Sequence, residues 1–196
     1  MRKRIIKIVL TGGPMAGKSS IVLHLEKYYS KKVQVIPEIA TAFERVFFKN
    51  RYFFIKSLNN DLNKLFFFLQ LRLEAIYSKV AREKNVKILV CDRGLFDGSA
   101  YCKGGVREFL SINNTSPKEM YNQYDVVIYL ESLLKIDEKN NFIPRSLTKK
   151  EKNLILKISN NNLKNWKHHQ NFHYIKGKTL KEKRIEVLNI INSFLD

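Results

Sequence analysis

The chain has 196 residues, 44% of them hydrophobic, with 36 Lys and Arg against 18 Asp and Glu and a formal net charge of +18. This length and apolar content suit one globular domain and exclude a disordered chain, and no apolar run approaches the ~20 residues a membrane helix needs. The charge is uneven, with 12 basic and 3 acidic side chains in residues 1–57, 10 and 8 in 58–130, and 14 and 7 in 131–196. Such a field favours anionic partners: nucleotides, nucleic acid or an acidic membrane surface. Alternatively, it follows from a composition rich in Lys, Asn, Ile, Phe and Tyr.

Met1-Arg2-Lys3-Arg4 and the apolar run after it imitate the start of a signal peptide. The run is too short and Lys7 interrupts it, so the reading is a cytoplasmic or otherwise reducing location. The two cysteines, Cys91 and Cys102, suggest neither a disulfide framework nor a zinc site.

Ile5, Ile6, Ile8, Val9 and Leu10 form the first expected strand. Gly12-Gly13-Pro14-Met15-Ala16-Gly17-Lys18-Ser19 follows, then Ser20 and an apolar helix pattern to Tyr29. This is G-x-x-x-x-G-K-[ST] between a strand and a helix, the context a P-loop requires. Gly12, Gly13 and Gly17 let the backbone turn its N–H groups into an anion nest, and the helix adds its positive N-terminus. Residues 12–20 are thus the expected nucleotide site. Lys18 is expected to reach the β- and γ-phosphates and Ser19 to ligate Mg²⁺.

Val33 to Ile36 reads as a strand closed by Pro37. Glu38 then sits at a strand's carboxyl end, where open α/β sheets bind ligands. It is a candidate for contacting substrate or metal-bound water, or simply for complementing a helix dipole. Thr41 to Phe54 interleaves Phe43, Phe47, Phe48, Tyr52, Phe53 and Phe54 with Arg45, Lys49 and Arg51, and Lys56 follows. Such aromatics are most often core, although a substrate cover, a lipid-touching surface and a base-stacking surface share the pattern. Asp61 to Asn85 is the longest expected helix, with Leu62, Phe66, Leu69, Leu73, Ile76 and Val80 as its inward stripe. Gln70 and Glu74, four residues apart, share a side of it, either as substrate contacts or as a solvated face.

Val86 to Cys91 is a buried-strand pattern delivering Asp92 at its end. This Walker B arrangement places a carboxylate for the Mg²⁺ shell or for the proton of an attacking hydroxyl. Arg93 is a candidate phosphate clamp. Asp97, in the loop and short helix that follow, is a substrate candidate or a helix cap. One or two short helices over 106–124 lead to a strand over 125–130. The polar segment of about 131–150 is a candidate lid. Its Arg145 would act on the transferring phosphate, unless it is a solvated loop arginine. Leu154 to Trp166 reads as a helix with a polar outer face, Phe172 to Ile175 as the last strand and Leu180 to Leu195 as the closing helix. His168 and His169 read as solvated surface residues. Residues 1–196 thus form a single P-loop NTPase domain. The expected fold is α/β and kinase-like, with a mostly parallel five-stranded sheet and helices on both faces.

The P-loop, Pro37-Glu38-Ile39-Ala40, the helix with Gln70 and Glu74, Cys91-Asp92-Arg93-Gly94 through Ala100-Tyr101-Cys102, Tyr124-Asp125-Val126-Val127 and Arg145 together resemble a known family. It is the AAA-type P-loop domain shared by NadR nicotinamide riboside kinases and the TRPL translocation defect protein. The resemblance implies phosphate and Mg²⁺ binding by Lys18 and Ser19, Asp92 as the site carboxylate and Arg145 as lid arginine. Thr41 stands where members often carry an arginine, and the extra domains of both relatives have no counterpart here. The expected function is an ATP- (or GTP-) and Mg²⁺-dependent kinase of a small nucleoside or riboside. The alternative is a nucleotide switch docking on phosphoinositide membrane or a protein partner; nucleic-acid binding is the weakest reading.

Overall fold

The computed structural model describes residues 4–47, 60–135, 147–177 and 179–195. Arg145, most of the candidate lid, and Phe48 to Phe54 with Lys56 lie outside the described residues. Five short strands set the architecture: β1 (Ile6–Thr11), β2 (Val33–Ile36), β3 (Ile88–Asp92), β4 (Val126–Leu130) and β5 (Phe172–Ile175). They pair in the order β2-β3-β1-β4-β5 with every contact parallel, so β1 lies at the centre.

Successive strand side chains point to opposite faces, and here both faces are apolar. Ile8, Leu10, Val90 and Ile128 pack on one side with Ile21 and Leu25 of α1 (Lys18–Tyr29) and Val187 and Ile191 of α7 (Leu180–Asn192). Val9, Leu89, Cys91 and Val127 pack on the other. There they meet Ala81 of α3 (Asn60–Glu83), Phe109 of α4 (Gly105–Ile112), Met120 of α5 (Pro117–Asn122) and Trp166 of α6 (Lys149–Trp166). The remaining helix, α2 (Ile39–Phe47), follows β2 directly. Burying one such aliphatic side chain is worth about 1.5–3 kcal/mol, more than helix propensity contributes per residue, so the two-sided core decides the layers.

Three helix starts are set by reciprocal capping. Ser116 and Glu119 cap α5, Thr148 and Glu151 cap α6, and Thr179 and Glu182 cap α7. The box at Thr148 starts α6 at Lys149, ahead of the expected Leu154.

Two expectations are corrected. Of the expected α3 stripe only Ile76 is exposed; Leu62, Phe66, Leu69, Leu73 and Val80 are half-buried, but the fully buried positions of the helix are Asn63, Gln70, Glu74 and Ala81. His169 is also buried, its Nε2 3.1 Å from the Tyr124 carbonyl and its Nδ1 accepting from the Asn171 N–H at 3.1 Å. These partners stabilise a ring that its polar sequence neighbours make look solvated.

Candidate active site

Because β1 lies between β3 and β4, three strand ends converge. The loop after β1 turns there through Gly12, at φ 137°, and Gly17, at φ 95°. A Cβ on Gly12 would lie 2.4 Å from the Leu130 carbonyl oxygen at the end of β4, so only glycine fits. The first helical residue after the loop is Lys18 itself. Its ammonium folds back onto the loop, donating to the Gly12 and Gly13 carbonyls at 3.2 and 3.1 Å. Burial, and then the nearby Arg93 charge, lower its pKa to about 8. Ser19 and Ser20 are exposed at the helix start.

Asp92 ends β3 in register with Leu10. Its Oδ1 is buried with no hydrogen-bond partner among the described residues, and burial raises its pKa against the opposing pull of Lys18. A buried carboxylate oxygen without a donor is costly, and it is the feature a cation's hydration shell would satisfy. Mg²⁺ uses one or two protein oxygens together with substrate phosphates. One carboxylate and the exposed Ser19 hydroxyl fit that donor set. Among the described residues, no cluster of three or more His, Cys, Asp or Glu could hold a metal by itself.

Arg93 follows in a left-handed backbone conformation, φ 73°, with its N–H bonded to the Leu10 carbonyl at 3.1 Å. Its guanidinium pairs with the Glu38 carboxylate through Nε and donates to the Gly12 carbonyl through Nη1 at 3.1 Å. Glu38 also accepts from the Thr41 hydroxyl at 2.8 Å. Burial pushes the Glu38 pKa up, but Arg93, Lys18 and the Thr41 bond outweigh it and hold the carboxyl below its ordinary value. Arg93 is thus bound within the protein, tying the end of β2 to the P-loop. Asp97 is buried and accepts from Gly94 N–H at 2.7 Å and from the Thr11 hydroxyl. Both of its oxygens hold the turn after β3 in place.

A cavity of about 500 Å³ runs from the P-loop across this cluster. Residues 14–20, Glu38, Gln70, Arg93 and Asp97 all line it. Asp92 is not among the lining residues. Its lining also includes Tyr101 and residues not singled out from sequence: Asn63, Phe67, Phe109 and, from α6, Ile155 and Ile158. Asn63 lies seven residues, two helical turns, before Gln70. A polar residue at that spacing was the available signal. Gln70 and Glu74 are buried rather than solvated.

The model of an AAA domain family, AAA_28, matches residues 7–188. The chain belongs to that family. None of the curated proteins compared with it matches. Among solved structures, this AAA domain is similar to a NadR protein in complex with NAD and AMP-PNP. The TM-score is 0.61 at 13% identity over 97% of the chain, which spans about half (49%) of the NadR chain. It is also similar to deoxyadenosine kinase from M. mycoides with the products dCMP and a flexible dCDP bound. There the TM-score is 0.50 at 19% identity over 96% of this chain and 100% of that one. At these identities the likeness shows the fold alone: a P-loop, kinase-like α/β domain. No described helix is long and apolar enough to cross a membrane.

Proposed function

We propose that this domain is an ATP- and Mg²⁺-dependent kinase that transfers the γ-phosphoryl group to a hydroxyl of a small nucleoside- or riboside-like acceptor. The observation that carries this reading is the single cavity joining the P-loop to the Glu38–Arg93 pair and the Gln70 wall. In this reading its P-loop end is the phosphate subsite and its aromatic and amide side chains form the acceptor subsite. The relatives of like fold were solved with AMP-PNP and NAD in one case and dCMP and dCDP in the other, which supports the same ligand class.

In this mechanism the N–H groups of Gly13 and of residues 15–19 cradle the phosphates, Pro14 having none to give. Lys18 leaves the Gly12 and Gly13 carbonyls to neutralise charge on the transferring group. Asp92, with its unpartnered oxygen, and Ser19 would hold the Mg²⁺ ion, which when bound neutralises charge on the nucleotide's phosphates. Glu38 lines the cavity and is held deprotonated by Arg93, so it accepts the acceptor's hydroxyl proton. A phosphoryl transfer with a loose transition state asks little of its base, so a carboxylate of low pKa suffices. Positioning and electrostatics do most of the work. In this reading residues 1–196 act as one domain, and the free thiols Cys91 and Cys102 suit a reducing cytoplasm.

The test is nucleotide turnover with a panel of nucleosides and ribosides, the products identified by mass spectrometry. A phosphorylated acceptor is expected, with Lys18→Ala losing nucleotide binding and Asp92→Asn keeping binding but losing turnover. Tight nucleotide binding with no acceptor product, or a fully active Asp92→Asn enzyme, would overturn the assignment. The first outcome would favour a nucleotide switch, which vesicle sedimentation with phosphoinositide would then test.

A further inference from the structure

One wall of the cavity is made of two amides in different situations. Gln70 donates from Nε2 to Glu74 Oε1 at 3.0 Å. Glu74 is 1% exposed and also accepts from the Tyr124 hydroxyl at 2.8 Å and from Lys7 Nζ at 3.2 Å. The Tyr124 oxygen in turn accepts from the Leu95 N–H at 2.8 Å, two residues after Arg93. An ionised carboxylate has no proton to give, so it receives only the NH₂ end of an amide. Turning Gln70 over would set its carbonyl against the carboxylate and leave Glu74 short of a donor. The amide is therefore locked, and Oε1, which has no hydrogen-bond partner among the described residues, is the end available to the cavity.

Asn63, two turns earlier on the same wall, is 4% exposed, and its Nδ2 has no partner among the described residues. No hydrogen bond from Nδ2 to a described residue holds this amide in one orientation. The wall thus pairs a locked acceptor with an amide that can present either end, beneath the rings of Phe67 and Phe109.

We propose that Glu74 is a positioning residue that fixes the polarity of Gln70, so that the site selects acceptors whose planar ring carries an amino or carboxamide N–H donor over their oxo or carboxylate counterparts. Asn63 contributes affinity and adapts to the neighbouring group. This inference deepens the kinase reading and rests on the cavity being its acceptor site. A matched donor on Gln70 Oε1, against a carbonyl facing it, is worth a factor of about ten in affinity.

The experiment is calorimetric titration of the whole protein, with AMP-PNP and Mg²⁺ present, against matched pairs: cytidine and uridine, adenosine and inosine, nicotinamide riboside and nicotinic acid riboside. In each pair that binds, the first member is expected to bind about tenfold more tightly. In Glu74→Gln, whose amide can give or accept, the preference is expected to fall below about threefold, because Gln70 is free to turn. In Asn63→Leu both members of a pair weaken together and the preference stays. Equal binding of the pairs by the wild-type chain would overturn the inference while leaving the acceptor site standing. Undiminished preference in Glu74→Gln, judged by AMP-PNP binding to be folded, would also overturn it. If Glu74→Gln does not fold, the wild-type pairs and Asn63→Leu decide. No binding by any member of the panel would instead overturn the underlying kinase reading.

Discussion

Asn162 of α6 is fully buried, and neither its amide nitrogen nor its amide oxygen has a hydrogen-bond partner among the described residues. Four residues on, the indole Nε1 of Trp166 is also buried and without a partner among the described residues. Replacing Asn162 with leucine, of similar size, removes two of these three orphaned groups. Each unsatisfied buried group costs about 1–3 kcal/mol, and the new methyl groups gain transfer free energy at about 25 cal/mol per Å² buried. Against this stand the leucine's branched shape in a tight site and the loss of any water held there, typically about 1–3 kcal/mol. The expected result is a gain of about 2 kcal/mol, and for a chain of this length a Tm rise of about 4–8 °C. Calorimetric melting and urea unfolding of Asn162→Leu measure it. Unchanged or lowered stability would refute the reasoning, because it would mean that ordered water satisfies the amide and the Trp166 N–H.

Lys183 of α7 is buried and donates to the Glu131 and Ala16 carbonyls, and burial lowers its pKa to about 8. Between pH 8 and 10 the unfolded chain holds this proton while the folded one gives it up, so Lys183 adds stability as pH rises through that window. The stability of wild type minus that of Lys183→Met is therefore expected to increase from pH 8 to 10 in paired urea titrations, and a flat difference would refute it. Taking the difference removes Cys91, whose raised pKa lowers stability with pH from about 9 in both proteins. Gly12→Ala drives a Cβ against the Leu130 carbonyl at 2.4 Å and forces φ 137° on an L side chain. A loss of about 1–3 kcal/mol is expected, with weaker AMP-PNP binding by titration. An unchanged melt would refute the steric account.

The sheet and the P-loop were legible in the sequence because their signals are local. An apolar run of four to six residues, a glycine pattern and a strand-terminal acid each sit within a few positions. The most deeply buried positions of α3 were not legible, because three of them are polar for a reason that lies elsewhere in the chain. Glu74 is buried there by Lys7 and Tyr124, and Gln70 by Glu74. A search for apolar repeats reads such a face as solvent-facing. His169 escaped in the same way, its partner being the Tyr124 backbone. The early start of α6 was written locally, in Thr148 and Glu151, and a reading led by apolar spacing passes over it. For Glu38 and Arg93, sequence located both residues beside the P-loop. Their mutual ion pair depends on the left-handed turn at Arg93, which no spacing rule signals.

The Lys18 ammonium resting on the Gly12 and Gly13 carbonyls has a consequence for exchange. An empty loop of inward-facing amides with no cation anchored to it would tend to fray. Here the lysine acts as a placeholder, so the loop keeps its shape between visitors. An arriving phosphate trades for bonds already made instead of adding new ones. The trade lowers the depth of binding and shortens the wait before a bound phosphate group departs.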